Sequence, residues 1–172
     1  IGGMSLKQQL QSGQTLSAPG VFDPFSARIA EAMGFNVLYM TGYGVNASLL
    51  GLPDAGFASY EEMVSRVRSI CEATDTVVIA DGDTGFGGLA NLERAVAGYE
   101  SAGSGAIQLE DQEFPKRCGH TRNRAVIPAA DMVKKILVAS ESRASDDFLI
   151  IARTDALTEQ GIDEALRRGE NY

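Results

Sequence analysis

The chain has 172 residues, 44% hydrophobic and 22% charged, with a formal net charge of −8. This is the composition of a globular protein, and the acid excess disfavours nucleic acid and anionic membranes as partners. No apolar run reaches the ~18 residues of a membrane span, and the N-terminus lacks the charged and apolar regions of a signal peptide. Ile1-Gly2-Gly3 ahead of Met4 reads as a tag remnant. Two cysteines, Cys71 and Cys118, make no disulfide framework and predict reduced thiols in a cytoplasmic protein.

In chain order, Ser5 to Gln11 reads as a short helix with Ser5 as N-cap. Leu16-Ser17-Ala18 reads as a first strand before a Pro19-Gly20 turn. Pro24 to Met33 has helical spacing and stops at Gly34. Asn36 to Met40 reads as a second strand, ending in the glycine-punctuated loop Thr41-Gly42-Tyr43-Gly44. Ser59 and Glu62 form a capping box for a helix with Met63, Val67 and Ile70 on its apolar face. Thr76 to Ala80 is a third strand, Leu89 to Ala102 a helix ended by Gly103, and Ala106 to Leu109 a fourth strand. Residues 112–128 are polar and irregular, too long for a plain connector, and read as a functional loop. Ala129 to Ala144 is a helix, Phe148 to Ile151 a fifth strand, and Gly161 opens a last helix.

Five alternations of short apolar strand and amphipathic helix predict a parallel α/β protein covered on both faces. Polar residues gather just after the second to fifth strands. That favours the C-terminal rim of a (β/α)8 barrel over the single switch point of an open sheet. A barrel takes about 250 residues. Residues 1–172 therefore read as one incomplete barrel domain, covering the first five βα units.

The run Val77 to Ala80 ends in Asp81-Gly82-Asp83-Thr84-Gly85-Phe86-Gly87-Gly88. Side chains at i and i+2 of a strand share a face, so Asp81 and Asp83 are expected to point together. Paired carboxylates suit Mg2+ or Mn2+; the plain alternative is an Asp-rich turn. The glycines lack the spacing and the lysine of a phosphate loop. Glu110 ends the neighbouring strand, and three carboxylates at one rim position would hold a metal that chelates a 2-oxo or 2-hydroxy acid. Lys116-Arg117-Cys118-Gly119-His120, in the long loop, contains the only histidine. Its cationic neighbours would favour a Cys118 thiolate, whereas Cys71 reads as packing. Arg153, at the tip of the fifth strand, would bind a substrate carboxylate or else pair with a rim acid.

Asp81 to Gly87, Gln108-Leu109-Glu110-Asp111-Gln112, Lys116 to His120, Ala152-Arg153-Thr154-Asp155-Ala156 and Gly51-Leu52-Pro53-Asp54 together resemble the isocitrate lyase/phosphoenolpyruvate mutase superfamily over nearly the whole chain. The Lys-Arg-Cys-Gly-His loop resembles its carbon–carbon lyase branch, in particular the 2-methylisocitrate and 2,3-dimethylmalate lyases. Relatives that process phosphonates or decarboxylate oxaloacetate generally lack that cysteine.

The resemblance implies that Asp81, Asp83 and Glu110 hold Mg2+, with Asp54 beside them. Thr41, Gly42, Tyr43 and Gly119 would line the substrate, a small carboxylate, and Arg153 would bind one of its carboxylates. Cys118 would exchange a proton at carbon, with His120 supporting the loop and Lys116 and Arg117 flanking it. Tyr43 or a water on the metal would deprotonate the hydroxyl. Tyr43 departs from the small residue expected of methylisocitrate lyases, which turns the expectation toward the dimethylmalate branch. A homotetramer is also implied. The rival expectations are an oxaloacetate hydrolase or decarboxylase, a phosphonopyruvate-processing enzyme, and an inactive or partner-dependent barrel fragment.

Overall fold

A computed structural model describes residues 3–172; the reading of Ile1-Gly2 as tag sequence lies outside them. The strands are β1 (Gly20–Val21), β2 (Val37–Met40), β3 (Val77–Asp81), β4 (Ala106–Glu110) and β5 (Leu149–Arg153). The helices are α1 (Leu6–Gln11), α2 (Pro24–Ala32), α3 (Gly42–Val45), α4 (Tyr60–Ala73), α5 (Leu89–Ser101), α6 (Ala129–Ser142), α7 (Leu157–Gln160) and α8 (Ile162–Asn171).

All neighbouring strands pair in parallel, and the order across the sheet is β1-β2-β3-β4-β5. A doubly wound sheet reverses its order at a switch point. This sheet never reverses, so it is an arc of a (β/α)8 barrel. Among the described residues no helix is long and apolar enough to cross a membrane.

Local chemistry explains most boundaries. Ser5 and Gln8 close a capping box on α1, Asp23 and Ser26 one on α2, and Ser59 and Glu62 one on α4. Each satisfies two amide donors that the helix itself cannot. Two expectations are corrected. The first strand is not Leu16 to Ala18 but Gly20–Val21. Pro19 has no N–H, yet its carbonyl accepts from Tyr39 N (3.0 Å) and Val21 O accepts from Thr41 N (3.0 Å), so pairing starts at the supposed turn. Thr41 to Gly44 is likewise not an open loop. Thr41 Oγ1 caps α3 by accepting from Gly44 N at 2.8 Å. The chain then runs into a π-helical turn, Asn46–Leu50, ended by Gly51 in the left-handed region.

The outer face of the sheet carries Leu38, Met40, Val78, Ala80, Ile107 and Leu109, all buried. They join Met63, Val67 and Ile70 of α4, Leu92, Val96 and Tyr99 of α5, and Met132 of α6 in one core. Burying each large side chain contributes roughly 1.5–3 kcal/mol, enough to fix three helices on the sheet. The inner face starts apolar, with Val37, Val77, Ile79, Ala106, Leu149 and Ile151 clustered around Leu6. It ends in charge at the C-terminal rim: Asp81, Glu110 and Arg153.

Gly82 is where β3 and β4 come closest beyond the ladder. Its N–H donates to Gln108 O at 2.8 Å, and a Cβ there would lie 2.6 Å from Ile107 Cγ1. Gly82→Ala is expected to cost about 1–3 kcal/mol through overpacking, read as a lower urea midpoint with an unchanged slope. An unchanged midpoint would show that β3 and β4 are not held at this spacing.

Candidate active site

Asp81 closes β3, and both its oxygens accept backbone N–H groups, Oδ2 from Gly42 (3.1 Å) and Oδ1 from Asp83 (3.1 Å). Asp83 lies past the strand with φ +48°. The two carboxylates therefore meet through a left-handed turn rather than through strand alternation. A Cβ on Gly42 would sit 2.8 Å from Asp81 Oδ2 and 3.4 Å from Asp83 Oδ1, so glycine admits the start of α3 against both acids.

Lys116 reaches this pair from the long loop. Its Nζ bonds Asp54 and lies 2.6 Å from Asp83 Oδ1, and all three side chains are buried. The expectation that Lys116 supports a Cys118 thiolate is corrected: a buried ammonium goes where two carboxylates compensate it. Burial opposes its charge, but Asp83, Asp54 and Asp81 outweigh burial and raise its pKa. Burial, then Asp81, pushes Asp83 up to about 7 in spite of Lys116.

Glu110 pairs with Arg153 in the ladder, and Arg153 Nη1 lies 3.2 Å from Glu110 Oε2. Arg153 also donates to Asp155 Oδ1 at 3.0 Å. The rim ion pair weighed from the sequence is thus formed. Arg153 nevertheless keeps 30% of its side chain exposed while Glu110 keeps 3%, so the guanidinium still faces the opening. Burial pushes Glu110 up to about 8, with Arg153 opposing and Asp81 and Asp83 adding to the rise. Among the described residues the cations paired with these four acids are Lys116, with Asp54 and Asp83, and Arg153, with Glu110. The cluster is short of positive charge. Among the described residues no three His, Cys, Asp or Glu side chains already stand in a metal-ligating group, since Lys116 and Arg153 occupy the carboxylates.

A cavity of about 500 Å3 opens beside the cluster, lined by Tyr39, Thr41, Gly42, Tyr43, Asp54, Asp81, Cys118, Gly119, His120 and Arg153. Cys118 Sγ lies 3.6 Å from His120 Nδ1. Gly119 passes over Arg153, where a Cβ would be 2.6 Å from Nη2. Tyr43 is exposed at the mouth. Asp83 and Glu110 lie behind the lining, and Arg117 is an exposed residue outside it. Cys71 and Cys118 are both free thiols, and burial pushes Cys71 up to about 11.

The sequence profile of the family Phosphoenolpyruvate phosphomutase matches residues 6–172. The chain is 48% identical over 167 residues to the 2,3-dimethylmalate lyase of Eubacterium barkeri, covering 97% of this chain and 58% of the relative. It is 42% identical over 170 residues to the 2-methylisocitrate lyase of Aeropyrum pernix, covering 99% and 54%. The chain belongs to the phosphoenolpyruvate mutase/isocitrate lyase superfamily. Among solved structures of that superfamily, a 2,3-dimethylmalate lyase aligns with TM-score 0.92 at 36% identity, over 96% of this chain and 56% of that one. Oxaloacetate acetylhydrolase bound to 3,3-difluorooxalacetate aligns at 0.86 and 39%, over 90% and 53%. Phosphonopyruvate hydrolase with oxalate and Mg++ aligns at 0.89 and 35%, over 97% and 57%. The chain spans a little over half the length of these relatives.

Three site residues went unnoticed in the sequence. Tyr39 lines the cavity, and its hydroxyl accepts from Gln108 Nε2 at 2.7 Å. Burial, then Asp81, drives its phenol well above the usual range, so it stays protonated. Its position in an apolar strand hid it. Asn46 is fully buried, donating to Gly42 O (2.9 Å) and accepting from Ala58 N (3.1 Å); no motif marked it. Asp155 sat in a quoted motif without a role. Its carboxylate collects Arg153, Gln112 and Arg124, the last at 3.8 Å.

A carboxylate whose folded pKa exceeds its unfolded value binds more protons when folded, so its contribution to stability falls as pH rises between the two values. For Asp83 and Glu110 that window runs from the ordinary carboxylate range to about 7 and 8. Metal-free protein is therefore expected to lose stability between pH 5 and pH 8. Lys116→Met removes the compensating charge and is expected to cost about 3 kcal/mol at pH 8, and less at pH 5, where Asp83 takes up a proton instead. Urea unfolding at both pH values checks this; equal losses would show that Lys116 does not compensate Asp83.

Proposed function

We propose that this chain belongs to a Mg2+-dependent carbon–carbon lyase that cleaves a 2-hydroxy dicarboxylate of the 2,3-dimethylmalate type into a 2-oxo acid and a carboxylate. The observation that carries the reading is one cavity lined by Cys118, Gly119 and His120 of the long loop together with Asp81 and Arg153 of the strand ends. The 48% identity to a 2,3-dimethylmalate lyase supports that branch.

A divalent cation fits the donor set. The oxygens are hard, negative charge is in excess, and Glu110 Oε1 is buried without a hydrogen-bond partner. Asp81, Asp83 and Glu110 would hold Mg2+ or Mn2+, with Asp54 beside them. When bound, the ion supplies Lewis acidity toward the oxygens of the 2-hydroxy carboxylate.

The chain's own residues supply the rest. Arg153 binds a substrate carboxylate through its forked donors. Thr41, Gly42, Tyr43 and Gly119 line the cavity beside it. Tyr43, or a water that the cation would hold, would take the proton of the 2-hydroxyl. The C2–C3 bond then breaks, its electron pair passing to C3 and into the adjoining carboxylate. Cys118 gives its thiol proton to C3 as general acid, and His120 steadies the thiol. Loop 112–128, which carries Lys116 and Arg117 just before Cys118, keeps water from the carbanion. Cytoplasmic location and homotetrameric assembly belong to the same reading and rest on the free thiols and the family.

The test is release of pyruvate and glyoxylate from 2,3-dimethylmalate, 2-methylisocitrate and isocitrate, with and without Mg2+. Metal-dependent release from 2,3-dimethylmalate is expected. Cys118→Ser is expected to abolish release while Mg2+ still raises the melting temperature; retained turnover would remove Cys118 from the reaction. The second reading, an oxaloacetate hydrolase, is favoured by the alignment with oxaloacetate acetylhydrolase at 39% identity. Consumption of oxaloacetate with silence on all three hydroxy acids would select it. Silence on all four substrates would leave a barrel fragment that needs the rest of its fold.

A further inference from the structure

Gln112 follows the rim acids Glu110 and Asp111 and is 2% exposed. Its amide grips one residue of the loop at both backbone groups. Gln112 Nε2 donates to Arg117 O at 3.0 Å, and Gln112 Oε1 accepts from Arg117 N at 3.0 Å. The same Nε2 donates to Asp155 Oδ2 at 3.1 Å. Asp155 in turn accepts from Arg153 through its other oxygen. Gln112 also bridges to Val126 at the far foot of the loop.

A planar amide carries a donor and an acceptor side by side, so it can stand in for a strand rung against a single residue. Carboxylate cannot donate, and an apolar side chain of equal length can do neither. The gripped residue is the one immediately before Cys118. We propose that Gln112 is a positioning residue, a latch on Arg117 that holds Cys118 in the cavity it lines with Arg153. The role assigned to Cys118 and Arg153 rests on the lyase reading; the latch itself does not.

The test uses the full chain and iodoacetamide, with peptide mass mapping of both thiols. Cys71, on α4 and packed against the core, reports global unfolding in the same sample. Gln112→Met and Gln112→Glu are each expected to raise the alkylation rate of Cys118 by about ten-fold, the scale of two lost hydrogen bonds, with Cys71 unchanged. Cys118 rates within about two-fold of wild type in both variants would overturn the latch.

Should either variant expose Cys71 as well, amide exchange in the wild-type protein decides. Arg117 is an exposed residue, yet its amide should exchange about ten-fold more slowly than those of Gly119 and His120. Equal exchange would sink the proposal. On 2,3-dimethylmalate the variants should lose kcat with a smaller change in KM, because the latch places the proton donor rather than the carboxylate site. Faster Cys118 alkylation in a chain that consumes oxaloacetate and none of the three hydroxy acids would keep the latch and reject the lyase reading.

Discussion

The buried contact of Lys116 with Asp54 and Asp83 is the constraint on which the site depends. Four carboxylates crowd one end of a parallel sheet. Burial and neighbouring carboxylates raise the pKa of Asp83 and of Glu110. One ammonium from the long loop and one guanidinium from β5 make this arrangement tolerable. The loop is therefore held by the electrostatics of the rim as well as by its own backbone. Any change in the charge of the rim acids is a change in how firmly the loop is held.

The two faces of the sheet divide the labour. The outer face is apolar from end to end and anchors α4, α5 and α6. The inner face is apolar only in its lower layers and turns ionic at its last residues, Asp81, Glu110 and Arg153. Gly42 admits the start of α3 against the Asp81 and Asp83 carboxylates, and Gly82 lets the chain after β3 pack on Ile107. The stability gained on the outer face is what lets the rim carry buried charge that hydrophobic residues would replace at no loss to the fold.

The alternation of strand and helix was legible because each strand is a short apolar run, and because Ser5 and the Ser59–Glu62 capping box mark two helix starts. Sequential strand order was legible only through where the polar residues fall. Two local errors have one cause. Pro19-Gly20 and Thr41 to Gly44 look like turns by residue type, but partners distant in sequence decide their backbone. Tyr39 O and N groups, Phe22 and the Asp81 carboxylate surround these segments, and no local pattern encodes them. The residues that carry charge at the rim were visible because ionisable groups at strand ends stand out. Tyr39 and Asn46 were not, because a single polar residue inside an apolar stretch gives no period or motif, while Gln112 and Asp155 stood in quoted motifs without a role.

The long loop is less free than its composition suggests. At its base, Ile127 N donates to Asp111 O at 2.9 Å, and Glu113 N to Ala125 O at 2.9 Å. Arg168 of α8 donates to Asp111 Oδ2 (3.0 Å) and Ile127 O (2.8 Å), which fastens both feet to one helix. Higher up, Lys116 is fixed by the rim acids and Arg117 by Gln112. On the return side, Asn123 N donates to Glu159 (2.9 Å) and Arg124 to Thr158 (2.5 Å), both on α7. What remains without such anchors is the tip from Cys118 to Arg122. The only polar contacts within it are the Cys118–His120 pair and a turn closed by Thr121 on Cys118 O. A thiol on a short tip between pinned stems has little entropy to lose on meeting a substrate, and its reach is set by the stems. Small rotations are open to that tip, whereas a larger displacement of its stem would pull on the buried ion pair of Lys116.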